Sequence, residues 1–155
     1  MEINVIIDGD FAECPEVGWL QGIAERVLIA QGVTSSVELG LVITNQERVR
    51  ELNRSYRGED RPTDVLAFYM TSAAEETFVA PPDRVLHLGE VIISYPQAVI
   101  QAKERQHSLK KELAILIIHG VLHLLGYDHD KPEPERQMRV KEKEILSGIE
   151  EEANF

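Results

Sequence analysis

The chain has 155 residues, 43% hydrophobic and 28% charged, a composition that fits one soluble globular domain with room for a sizeable core. Its single cysteine, Cys14, excludes an internal disulfide, and its longest apolar run, Leu113 to Leu125, is too short to span a membrane. The formal net charge of -11 argues against a generally basic nucleic-acid-binding surface.

Glu2 to Asp8 alternates and is rich in Ile and Val, which predicts a first strand. That acidic, strand-like opening has no basic segment followed by an apolar run, so a cytoplasmic location is expected. Pro15 is placed to open a helix reaching Gln31, with Val17, Leu20, Ala24, Val27 and Leu28 as its core stripe and Gly32 as its stop. Val37 to Thr44 predicts a second strand, and Asn45 an N-cap for a short helix to Tyr56. Pro62 forces a loop over Gly58 to Thr63, and a third strand follows from Asp64 to Met70. Thr71 to Arg84, with Pro81-Pro82, reads as an exposed, mobile loop. Val85 to Ser94 predicts a fourth strand, and Pro96 a helix to Gln106. No crossover helix separates strands three and four, so antiparallel pairing and a mixed sheet are expected. Beyond Pro132 and Pro134 a polar helix is expected from Glu135 to Ser147, then a frayed tail from Glu150 to Phe155. The whole, residues 1–155, reads as a single α/β domain.

The chemistry concentrates between Ser108 and His129. Ser108 is a plausible N-cap for a buried helix, on which His119 and His123 stand four apart and project from one face. Gly126 can end that helix in a left-handed conformation, letting the chain fold back and bring His129 towards the first two rings. Three imidazoles so arranged suit zinc with an open fourth position, the arrangement of catalytic sites. A hydrogen-bonded histidine cluster without metal is the bland alternative. The spacing also matches the metzincin protease pattern His-Glu-x-x-His-x-x-Gly-x-x-His, except that Gly120 stands where those proteases carry their glutamate base.

Taken with Asn53-Arg-Ser-Tyr-Arg57 and Asp60-Arg-Pro-Thr-Asp-Val-Leu-Ala-Phe68, the histidine stretch closely resembles the YbeY family of bacterial metal-dependent endoribonucleases. Leu88-Gly-Glu-Val-Ile-Ile-Ser94 and Gln106-His-Ser108 also look like family segments, and the resemblance runs from about Leu39 to Leu146. Four positions depart from the pattern: Ala67 for serine, Tyr69 for proline, Glu90 for aspartate and Gln106 for glycine. The resemblance implies a four-stranded mixed sheet covered by helices. It implies one zinc ion per chain on His119, His123 and His129, and single-stranded RNA as substrate. It further implies maturation of the 3′ end of small-subunit (16S) ribosomal RNA, ribosome quality control and the small ribosomal subunit as partner.

Phosphodiester cleavage needs charge neutralised on phosphorus, and a guanidinium offers paired donors that match phosphate oxygens. By sequence alone Arg57 is one of five arginines between Arg48 and Arg61, open to pairing with Glu47, Glu51, Glu59 or Asp60 on a solvated face. The resemblance carries the phosphate-clamp role to Arg57, with Arg61 as a further substrate contact. Asp64 and Glu90 are candidates for the cleft with at least as good a structural reading, and Asp128 is a candidate to orient a ligand ring or to cap a turn. His107 at a helix start reads better as structural than as a substrate contact, and His87 is read as structural. Two other functions stay open: a metal-dependent hydrolase of peptides or small substrates, weakened by Gly120, and a non-catalytic ribosome-associated module braced by zinc. A closed zinc site would need a fourth ligand, and the sole thiol is far away at Cys14. The residues carry no signal for an oligomeric state.

Overall fold

Four segments rich in branched aliphatic residues pair into one mixed sheet: β1 (Glu2–Ile7), β2 (Val37–Thr44), β3 (Val65–Tyr69) and β4 (Leu86–Ser94). The computed structural model describes residues 1–33, 36–58, 63–69, 85–126 and 132–153. Strand order is β1-β2-β4-β3. β1 and β4 run parallel to β2, and β3 runs antiparallel to β4 with Val65 opposite Ile93 and Tyr69 opposite Gly89. The expected antiparallel pairing of the third and fourth strands is therefore present. Met70 and the loop expected over Thr71 to Arg84 lie outside the described residues.

Five helices accompany the sheet among the described residues: α1 (Val17–Ala30), α2 (Gln46–Arg57), α3 (Tyr95–Glu104), α4 (Leu109–Leu124) and α5 (Pro132–Ala153). Two start where capping chemistry predicts. Asn45 accepts from the Arg48 amide at 2.8 Å and Ser108 from the Lys111 amide at 3.1 Å, each bond worth about 1 kcal/mol. α3 is also capped, Ser94 accepting from the Gln97 amide, with Pro96 in its first turn. α1 begins after Glu16, one residue beyond Pro15.

α5 corrects the sequence reading. It starts at Pro132, ahead of the expected Glu135, and runs through Glu150 to Ala153 in place of a frayed tail. Prolines are tolerated in a first helical turn because amides there have no intrahelical acceptor. The far end is held by burial of Ile145 and Ile149 and by an ion pair from Lys111 Nζ to Glu150 Oε1 at 3.2 Å.

Strand alternation divides the core between the two faces of the sheet. Leu39, Leu41, Ile43, Val91 and Ile93 face α1, α4 and α5, whose Leu20, Leu28, Leu113, Ile117, Val121 and Met138 complete the main core. On the other face Val49 and Leu52 of α2 pack on Leu66, Ile92, Val42 and Phe68. α4 is buried on nearly every side, which explains why its sequence is apolar without a clear stripe.

The first turn of α4 also buries a carboxylate. Glu112 is fully enclosed, yet its oxygens accept from Gln101 Nε2 (3.0 Å), Arg105 Nη1 (2.9 Å) and His107 Nε2 (2.6 Å). Gln101 reaches on to Asp64 Oδ2 at 3.3 Å. Such a charge is tolerable only because every neighbour donates to it. Asp64 and His107 are thereby accounted for as members of a bracing network. His87 likewise pairs with Glu38, at 3.3 Å.

Candidate functional site

α4 carries His119 and His123 on one face, as a four-residue spacing requires. Their rings meet edge-on with centroids 4.6 Å apart, and the two Nε2 atoms are 3.1 Å from each other. The Nδ1 atom of His119 lies 2.7 Å from Glu142 Oε1 on α5. An ionised carboxylate can only accept, so His119 donates from Nδ1. In the neutral ring that choice of tautomer places the lone pair on Nε2, directed towards His123.

This arrangement fits a metal ion in its donor chemistry. Two nitrogens bound to one tetrahedral ion at 2.0–2.1 Å lie about 3.3–3.4 Å apart, close to the observed ring separation. Metal-ligating histidines characteristically donate their other ring nitrogen to a carboxylate, as His119 does here. The same contact also suits a proton shared between the rings. Among the described residues no group of three or more His, Cys, Asp and Glu converges as a metal cluster. His129, the expected third ligand, lies outside them, as do Asp128 and Arg61. Arg57 ends α2, where Gly58 caps the helix at φ 73°, but its side chain is outside the described structure.

Glu142 escapes a sequence reading centred on the histidines, since it follows His119 by 23 residues. It had a signal all the same. On α5 it shares a face with the buried Met138, Ile145 and Ile149, so a charged residue stands on an apolar stripe.

Gly120 has a structural reason that periodicity does not reveal. It is buried against β4, and a Cβ added there would fall 2.5 Å from Val91 Cγ1 and 3.0 Å from Val91 Cγ2. A glutamate at this position would drive into the sheet. Glu90, the neighbour of Val91, points by alternation to the opposite face and is exposed there. Cys14 packs at the edge of the core beside Tyr95, and burial pushes its thiol above the ordinary value, which keeps it protonated. A protonated thiol is a poor metal ligand.

Several basic residues are engaged with neighbours. Arg48 pairs with Glu51 at 3.2 Å on the solvated face of α2, as the bland reading expected. Arg105 serves Glu112, Lys111 pairs with Glu150, and Lys110 sits 5.6 Å above the Trp19 ring. These four side chains brace helices.

Comparison with known proteins extends the resemblance beyond the histidine stretch. The sequence profile of the endoribonuclease YbeY family matches residues 13–150. An endoribonuclease YbeY from Dehalococcoides mccartyi is 49% identical over 157 residues, covering 97% of this chain and 98% of that protein. Those from Bacillus cytotoxicus and a Roseiflexus species are 43% and 39% identical, over 86% and 95% of this chain and 86% and 92% of their own. A solution structure of a Thermotoga maritima protein superposes with a TM-score of 0.62 at 26% identity, covering 97% of this chain and 90% of that one. The chain belongs to the endoribonuclease YbeY family of RNA-cleaving hydrolases.

Proposed function

We propose that this protein cuts single-stranded RNA with the help of one zinc ion per chain held by His119, His123 and His129. We propose further that it matures the 3′ end of small-subunit (16S) ribosomal RNA in the cytoplasm, at or near the small ribosomal subunit, and serves ribosome quality control. The whole chain, residues 1–155, acts as one unit. The observation that carries the reading is the pair of Nε2 atoms 3.1 Å apart, one ring oriented by Glu142, in a chain of an endoribonuclease family.

A bound zinc ion would lower the pKa of a coordinated water to about 7 or polarise a phosphoryl oxygen. The protein's own residues do the rest. Glu142 holds the proton on His119 Nδ1 and fixes the ring's orientation. Arg57 supplies the guanidinium fork for the scissile phosphate, with Arg61 a further contact to substrate. Proteolysis is the disfavoured alternative. Where metzincins place their general base, this chain turns Gly120 into the sheet against Val91.

The test is single-turnover cleavage of a structured RNA with a single-stranded tail, beside a peptide substrate and a metal assay. His119→Ala, His123→Ala and His129→Ala should each lose metal and RNA cleavage together. Arg57→Ala should keep fold and metal while cleaving roughly 10²–10³-fold more slowly, the loss expected for one group that stabilises transition-state charge. Full metal retention in all three histidine variants sinks the metal assignment. Undiminished cleavage by Arg57→Ala removes that residue from the mechanism. Metal-dependent peptide cleavage would revive the protease alternative, and metal binding with no cleavage of either substrate would leave a zinc-braced module.

A further inference from the structure

We infer that the face of the sheet turned away from the histidines carries a shelf for one unstacked nucleobase of the RNA, a base bearing an exocyclic amine. The inference rests on the endoribonuclease reading above and adds a substrate subsite to it. Tyr56, in the last turn of α2, is 71% exposed, the most of any large hydrophobic residue among those described. Ile6 on the open edge strand β1 is 58% exposed. Isolated exposed apolar residues are ordinary, but these two line a single hollow of about 750 Å³ with Val42, Phe68 and Ile92. The Tyr56 ring leans on Phe68 at 5.1 Å between centroids and 56° between planes, which fixes its orientation while leaving most of it open to solvent. An oriented, exposed aromatic ring beside an apolar floor is what single-stranded nucleic acid stacks on.

The polar groups of the hollow select the kind of base. Asp8 and Glu90 both line it, and Asp8 Oδ2 already accepts from Thr44 Oγ1 at 3.1 Å. Carboxylates repel phosphate, so the backbone must stay outside and the base must enter. They accept hydrogen bonds from amines such as cytosine N4, whereas uracil offers a carbonyl at the same place. The occupant is therefore a base with an exocyclic amine, cytosine, adenine or guanine, and not uracil. Arg48, the remaining charge on the lining, is paired with Glu51.

Position supports the same occupant. Phe68 is the penultimate residue of β3, an edge strand, and pairs with Glu90 of β4. The next β4 residue, Val91, is the one pressed by Gly120, the neighbour of His119. The shelf and the histidine helix thus lie on opposite faces of the sheet at adjacent β4 residues. Tyr56 also directly precedes Arg57.

The experiment measures single-turnover cleavage against enzyme concentration on single-stranded RNA, with anisotropy of labelled oligo(C), oligo(A) and oligo(U) run alongside. Tyr56→Ala should raise the half-saturating concentration about 5- to 150-fold, the range for loss of one base–aromatic stack, with metal content and thermal midpoint as in the parent. Tyr56→Phe should restore binding, and Glu90→Gln should shrink the parent's preference for oligo(C) and oligo(A) over oligo(U). Parent-like saturation by a well-folded Tyr56→Ala, or equal parent affinity for all three oligomers, overturns the shelf while the endoribonuclease reading stands. A parent that neither binds nor cleaves RNA overturns both. If Tyr56→Ala instead loses only the capture of a protein ligand, the hollow belongs to a different class of partner and the proposal fails.

Discussion

Replacing Gly120 by alanine tests whether α4 is seated on the sheet as closely as the geometry indicates. The added methyl would lie 2.5 Å from Val91 Cγ1, about 1 Å inside the closest comfortable carbon–carbon contact, and 3.3 Å from Val91 Cβ. Overpacking of this kind costs typically about 1–3 kcal/mol. Alanine also gains about 1 kcal/mol of helix propensity over glycine, so the net expectation is a loss of roughly 0–2 kcal/mol. Val91→Ala alone should destabilise through the cavity it leaves, by about 2 kcal/mol. In the Gly120→Ala background the same change should cost far less, because the new methyl occupies the vacated space. The cycle should therefore show a favourable coupling of about 1 kcal/mol or more. Guanidinium denaturation followed by circular dichroism, with a chelator present throughout, measures all four proteins. Gly22→Ala is the control: it is an α1 glycine whose added Cβ meets nothing within 4 Å, so propensity alone should stabilise it. The reasoning is refuted if Gly120→Ala stabilises as Gly22→Ala does and Val91→Ala costs the same in both backgrounds.

Glu142→Ala should weaken metal affinity about 10- to 100-fold in a chelator competition while Glu142→Gln retains more of it, since an amide oxygen still accepts from His119 Nδ1. Affinity unchanged in the alanine variant would show that the carboxylate merely neighbours the ring. Gln106 adopts φ 58°, a left-handed conformation that costs a side-chain-bearing residue energy and glycine very little. Gln106→Gly should therefore raise stability by about 1 kcal/mol, or about 2–4 °C in Tm, and a lowered Tm would contradict the strain.

Local chemistry made much of this structure legible in the sequence. Alternation places β2 at Val37–Thr44, its observed bounds, and Asn45 and Ser108 cap the helices they were expected to cap. The shared face of His119 and His123 follows from helical spacing alone. What stayed hidden depends on partners distant in sequence. Glu142 acquires its meaning only when α5 folds back on α4, and Gly120 only when Val91 lies beneath it. The start of α5 lies three residues ahead of the expected Glu135 because the two prolines form a permitted first turn. The acidic Glu150 reads as tail until Lys111 is found beside it. Of the clustered arginines of α2, Arg48 pairs with a carboxylate one turn along its own helix, as the reading of a solvated face expects.

The contacts between α4 and α5 have a consequence for how the site comes into being. Lys111 meets Glu150 and His119 meets Glu142, so eight residues forward on one helix match eight residues back on the other. The two helices are clasped antiparallel at points about 12 Å apart. During synthesis His119 and His123 are made well before the carboxylate that orients the His119 ring, and the clasp cannot close until the chain has passed residue 150. A nascent chain, or one shortened near residue 140, would keep both imidazoles and lose the carboxylate that holds His119. The orientation of the His119 ring is thus acquired only after residue 142 has been made and α5 has packed on α4.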